Sequence, residues 1–161
     1  MSFSSPALPR LTPWLGRLIA VTAVAQLLLE TVFVSPNISF MLSMNPSAIA
    51  TRPWGLVTYL FVHSGIIHLA TNMFALYLFG TAVENRMGSR AFLLYYLYCG
   101  IGAALFSLLL SLVIPQAPIV GASGAVLGVA VAFAMFWPDA EIFVFPSPSR
   151  SRLGTWSFSW R

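Results

Sequence analysis

Charge is almost missing from the middle of this chain. Between Pro13 and Trp137 only Arg17, Glu30, Arg52, Glu84, Arg86 and Arg90 carry a formal charge. A soluble domain covers its surface with charge on about a quarter of its residues. Here 7% of the 161 residues are charged and 58% are hydrophobic, with a mean hydropathy of +0.85. That excludes a soluble globular protein and a disordered tail. It also excludes a nucleic-acid binder, because a net charge of +4 spread over the chain is no phosphate footprint. Lipid is the solvent, and in lipid every backbone N–H and C=O must be paired within the segment, so the spans are helices. The expected fold class is an all-α membrane protein, a polytopic helical bundle.

A spanning helix needs about 20 apolar residues. Four stretches qualify or nearly do, at about 13–34, 66–87, 91–113 and 122–137, the last short and rich in Gly and Ala. Ala23-Val24-Ala25 resembles a signal-cleavage site, but the apolar run continues to Val34, so the first stretch reads as a retained anchor. With residues 1–12 in the cytoplasm, Arg10, Arg17, Arg86, Arg90, Arg150, Arg152 and Arg161 fall inside and Arg52 outside. The positive-inside rule favours that orientation. The external loop 35–52 carries Phe40, Met41, Leu42 and Met44, too apolar for a solvated linker, and is expected against the membrane interface. Trp54, Tyr59 and Phe61 follow it where an aromatic belt would stand. The domain is expected over 13–145, with a cytoplasmic Ser/Arg-rich tail at 146–161 that reads as out of frame.

Polar residues inside membrane helices are costly and therefore informative. His68 and Asn72 stand four residues apart, on one helix face. They suit either interhelical hydrogen bonding or donation to a developing charge. Gly121-Ala122-Ser123-Gly124 opens the last helix, where first-turn N–H groups are unpaired and the dipole is positive. A nucleophile placed there has donors for an oxyanion at hand. Packing is the other reading, since Gly124 and Gly128 make a small-xxx-small pair. The topology brings Ser123, His68 and Asn72 to one depth near the outer leaflet, a constellation for acyl transfer. His63, five residues earlier on the same helix, falls roughly 140° from the His68 face, which argues against it as a base. Glu30 reads as an interfacial carboxylate and Cys99 as inert packing.

From Arg52 to Pro146 the sequence resembles the core of the rhomboid intramembrane serine proteases. The resemblance rests on an ordered set of motifs. They are Trp54; His63 with His68-x-x-x-Asn72-Met73; Gly80 with Ala82-Val83-Glu84-Asn85-Arg86-Met87-Gly88-Ser89; Phe92-Leu93-x-x-Tyr96-Leu97 with Gly100; and Gly121-Ala122-Ser123-Gly124. It implies Ser123 as nucleophile, with its own N–H, His68 and Asn72 as the oxyanion hole. Gly121 would keep the approach open, and Glu84 would anchor one end of the second helix. It further implies cleavage of transmembrane substrates near their outer end, with no metal or cofactor. The 35–52 loop would be the membrane-embedded loop that shapes access. The expected partners are membrane lipids and a transmembrane protein substrate, with no nucleic acid.

The sequence departs from the family pattern twice. Gly55 follows Trp54 where an arginine is usual, and no histidine occurs after His68. In the family the base is a histidine on a sixth helix, in Ala-His-x-x-Gly-x-x-x-Gly. The expectation is therefore four of the usual six core helices, a truncated or frame-shifted product, and a chain inactive alone. A non-catalytic module that binds membrane proteins and a small transporter subunit are the alternatives. The lysine-free cation set suggests a GC-rich bacterial gene and hence a bacterial inner membrane.

Overall fold

The computed structural model of the chain describes residues 11–140. Arg10, Arg150, Arg152 and Arg161, residues 141–145 of the expected domain and the 146–161 tail lie outside the described residues. The described residues form helices and turns, and their only β pairing is the isolated Met44–Ile119 bridge. The long helices are α1 (Pro13–Thr31), α4 (Ile66–Met87), α5 (Ser89–Leu110) and α6 (Ser123–Phe136). Between α1 and α4 lie the short α2 (Pro36–Leu42) and α3 (Gly55–Thr58), with single 3-10 turns at Pro46–Ala48 and Tyr59–Phe61.

Helices α1, α4 and α5 are long and apolar enough to cross a membrane. At 1.5 Å per residue they reach about 28 to 33 Å, whereas α6 reaches only about 21 Å. Their outer faces stay apolar and exposed, as at Leu27, Ile67, Phe74, Leu94 and Leu109. Lipid contact makes that exposure favourable rather than costly. Helix α1 stops at Thr31, before the expected Val34, and α5 runs Ser89–Leu110 rather than 91–113.

The core is built around α6, which packs on both α4 and α5. Leu69, Met73 and Leu76 of α4, Phe92, Tyr96 and Ala104 of α5, and Ala125, Val126 and Val129 of α6 are buried together. Small residues set the helix spacing. A Cβ on Gly124 would overlap Ala103, and one on Gly128 would overlap Cys99. The Tyr95 hydroxyl also donates to the Gly128 carbonyl at 2.9 Å. Cys99 thus fills the groove that Gly128 leaves, and it is a free thiol.

Glu84 closes the far end of this bundle. Its buried carboxylate accepts from the Trp14 N–H at 3.0 Å, the Leu15 N–H at 2.8 Å, the Ser89 hydroxyl at 2.7 Å and the Thr12 hydroxyl. It therefore supplies the N-terminal cap that Thr12 does not provide for α1, and it faces the positive end of that helix dipole. Beyond it, Gly88 alone separates α4 from α5 and takes φ 86, a conformation few side chains tolerate.

The 35–52 segment is folded onto the bundle. Met44 and Ile119 exchange both backbone bonds, at 3.0 and 2.8 Å, and Met44 is fully buried. Trp54 Nε1 donates to the Met41 carbonyl at 2.9 Å and the Thr58 hydroxyl to the Leu42 carbonyl at 2.7 Å. The Arg52 guanidinium lies 5.3 Å over the Phe40 ring. Gly55 is where the segment comes closest, since a Cβ there would sit 2.8 Å from the Ser43 carbonyl oxygen. The aromatic-belt reading fails for Tyr59, which is 3% exposed and donates to the Gly100 carbonyl at 2.7 Å. An apolar ring with one satisfied hydroxyl packs inside as readily as at an interface.

Candidate active site

Three segments meet where α4 and α6 begin: the stretch Tyr59–Ser64, the first turns of α4, and the turn Gly121–Ser123. The Gly121 N–H donates to the Tyr59 carbonyl at 2.9 Å, which ties the turn to the stretch before α4. Gly121 has φ 109, and a Cβ on it would lie 2.6 Å from His68 Cε1 and 2.8 Å from His68 Nε2. The imidazole of His68 therefore rests directly on the Gly121 backbone. No residue with a side chain fits there, for reasons of both space and conformation.

Ser123 is the first residue of α6 and its side chain is exposed. Ala122, the preceding residue, is fully buried. The first-turn N–H groups from Ser123 onward have no intrahelical acceptor, so they face the hydroxyl with positive potential. Ser123 is thus held beside donors that an oxygen carrying charge would need.

His68 is half-buried, and its Nδ1 lies 3.0 Å from the exposed Ser64 hydroxyl. When Ser64 donates to Nδ1, the proton of a neutral His68 sits on Nε2, on the Gly121 side. Asn72 is 6% exposed, and its Nδ2 donates to the His68 carbonyl at 2.8 Å. Among the described residues its second amide hydrogen makes no hydrogen bond and its Oδ1 has no partner. The structure therefore seats His68 on Gly121, two residues before Ser123, with Asn72 one turn further along α4.

The other sequence candidates lie elsewhere. Glu84 is about 18 Å along α4 from Asn72, at the opposite end. Trp54 holds the 35–52 segment, and Gly124 and Gly128 face α5. Glu30 is exposed and accepts from Gln26 Nε2 at 2.8 Å.

The helical-wheel argument about His63 is overturned. Helix α4 begins only at Ile66, after Gly65 at φ 151, so His63 belongs to no helix. Its ring stands 5.1 Å from the His68 ring at an interplanar angle of 68°, and its Nε2 lies 3.4 Å from the Ala122 N–H. Burial, with the neighbouring His68 adding to it, pushes the His63 pKa down to about 4, so it is neutral at pH 7. Sequence reasoning also missed Gln26, a buried amide on α1. Gln26 Oε1 accepts from the His63 N–H at 2.8 Å, and Nε2 donates to the His63 carbonyl at 3.0 Å. The signal was available, because Gln26 is an uncharged but strongly polar residue inside a membrane helix.

The chain is similar to known proteins. A Rhomboid domain model matches residues 50–160, past the Pro146 at which the motif resemblance ends. The chain is 47% identical over 75 residues to "Rhomboid protease GluP" of Bacillus subtilis, covering 47% of this chain and 14% of that protein. It is 39% identical over 101 residues to "Rhomboid protein 1, mitochondrial" of Saccharomyces cerevisiae, covering 60% of this chain and 28% of that one. With "Rhomboid-like protein 11, chloroplastic" of Arabidopsis thaliana it shares 44% over 90 residues, 53% of this chain and 31% of the relative. The matched part is thus less than a third of each of these relatives' lengths. No solved structure matches the chain significantly.

Proposed function

On the premise that this chain belongs to the rhomboid family of multi-pass membrane proteins, we propose that the Gly121–Ser123 turn and the first turns of α4 form the reaction centre of an intramembrane serine endopeptidase. Ser123 Oγ attacks the carbonyl carbon of a substrate peptide bond, and the carbonyl oxygen takes up negative charge. The Ser123 N–H, His68 Nε2–H and the free Asn72 amide hydrogen donate to that oxygen. Collapse of the intermediate expels the amine and leaves an acyl-enzyme, which water then hydrolyses. The substrate is a transmembrane protein cut near its outer end, and no metal or cofactor takes part. The observation that carries the reading is the seating of His68 on Gly121, two residues before Ser123.

The proton of Ser123 must pass to a base. Neither histidine of the sequence suits that task. His68 is needed as a donor, and His63 Nε2 faces the Ala122 N–H. We therefore expect the 161-residue chain alone to be a slow or inactive hydrolase. That same observation favours a second reading, a rhomboid-like module that binds membrane proteins without cutting them. The inner end is taken to be the Glu84 end, where Arg17, Arg86 and Arg90 lie close in sequence to residues of the Glu84 cluster, with the N-terminus in the cytoplasm of a bacterial cell.

A fluorophosphonate probe tests both readings on the full chain in micelles. Labelling mapped to Ser123 and lost in Ser123→Ala supports the protease site. No labelling, together with photocrosslinking of a single-span peptide to α4 or α6, selects the binding module. Labelling that persists in Ser123→Ala ends the nucleophile assignment.

A further inference from the structure

We infer that His63 is a positioning residue for the Ser123 turn. Its Nε2 receives the Ala122 N–H, its ring backs the ring of His68, and the Gln26 amide holds it in place. The role rests on reading residues 121–123 as the reaction centre.

His63 lies in a stretch with no helix to locate it, between the 3-10 turn Tyr59–Phe61 and Ile66. A side chain from α1 does the locating. Gln26 takes both the N–H and the C=O of His63, at 2.8 and 3.0 Å, and its Nε2 also donates to Glu30 at 2.8 Å. This two-point grip fixes the peptide plane on each side of the residue and hence the origin of the imidazole. His63 as a whole is 5% exposed.

The direction of the Ala122 bond fixes the chemistry of that ring. A backbone N–H can only donate, so the 3.4 Å contact from Ala122 calls for the lone pair on Nε2 and the ring proton on Nδ1, which is buried and has no partner among the described residues. Protonation would set Nε2–H against Ala122 N–H, donor against donor. The neutral form is therefore the working one, which agrees with the low pKa given above. His68 is the titratable group facing it from α4. Glu30 of α1 reaches it only through Gln26, Tyr59 directs its hydroxyl to Gly100, and α6 offers a backbone N–H. Ala122 precedes the nucleophile, and His68 rests on Gly121. One imidazole thus braces both sides of the oxyanion site, the turn and the His68 ring.

The chain has only two histidines, which makes the test direct. Nitrogen-15 histidine spectra of the full chain in micelles, assigned with His68→Gln, report tautomer and titration of each ring. The expected result is His63 carrying its proton on Nδ1 and staying neutral at pH 7. Amide exchange at Ala122 and Ser123 is then compared among variants. His63→Phe should speed it about five- to tenfold, the loss of one modest hydrogen bond, while Val129 and Ala132 are unchanged. His63→Gln, whose side-chain carbonyl can accept, should restore slow exchange. A proton on Nε2 in the wild type, equal exchange in the Phe and Gln variants, or acceleration spread along all of α6 would each overturn the proposal. No fluorophosphonate labelling of Ser123 together with crosslinking of a single-span peptide to α4 or α6, while these signals hold, would instead sink the reaction-centre reading alone.

Discussion

Replacing Glu84 by alanine should unlock α1 from the bundle. The carboxylate serves four donors: the Thr12 and Ser89 hydroxyls and the Trp14 and Leu15 N–H groups. The hydroxyls can rotate toward nearby carbonyls. The two N–H groups belong to the first turn of α1 and have no alternative acceptor in the helix. An unsatisfied buried donor costs about 1–3 kcal/mol, so these two alone give about 2–6. Loss of the negative group at the helix N-terminus adds about 0.5 kcal/mol. A total near 3–5 kcal/mol follows, with the two donors at mid-range and some relaxation of the chain. Glu84→Gln keeps one acceptor oxygen and should cost only about 1–2 kcal/mol. Equilibrium unfolding in mixed micelles, followed by tryptophan fluorescence, measures both, since Trp14 adjoins the site. Protease access to residues near Leu11 should rise in the alanine variant first. A loss below about 1 kcal/mol for alanine, or equal losses for the two variants, would refute the capping argument.

Other perturbations give separable outcomes. Gly121→Ala, strained at φ 109 and pressed on His68, should cost about 2–4 kcal/mol of stability by the same unfolding assay and abolish Ser123 labelling. Gln26→Leu should cost about 1–3 kcal/mol by unfolding, because the backbone groups of His63 lose both partners. Stability should fall as pH drops from the ordinary 6.5 toward about 4, because the unfolded state binds a proton at His63 that the native state refuses. Above that window His63 contributes no slope, and His63→Gln should flatten the acid limb of the unfolding midpoint against pH. Gly128→Val, forced against Cys99 and Tyr95, should separate α5 from α6 and lower the thermal midpoint by several degrees, roughly 1–3 kcal/mol.

The long helices were readable because lipid demands length and apolarity, and α1, α4, α5 and α6 show both. The pairing of His68 with Asn72 was readable from a spacing of four, and the Ser123 turn from its glycines. What escaped reading depends on contacts between distant segments. A wheel drawn through His63 assumes a helix that Gly65 ends, so the angle it returned had no meaning. Gln26 is polar, but its partner lies 37 residues away, out of reach of any local pattern. Hydropathy cannot separate Tyr59 facing a headgroup from Tyr59 donating to Gly100, because both need one wet or bonded hydroxyl. Helix α2, at 7 residues, is too short for a periodic signal.

The one-residue junction at Gly88 bears on how such a chain assembles. Two helices of 22 residues joined so tightly are expected to pair with each other before either finds another neighbour. Closing that connection costs almost no chain entropy. The pair then arrives with Glu84 and Ser89 already side by side at its closed end, a finished receptor for the first span, which was synthesised earlier and has been waiting in the membrane. Order of assembly is thereby written into a single glycine. Lengthening that junction by a few flexible residues should slow docking of the first span more than it weakens the finished bundle.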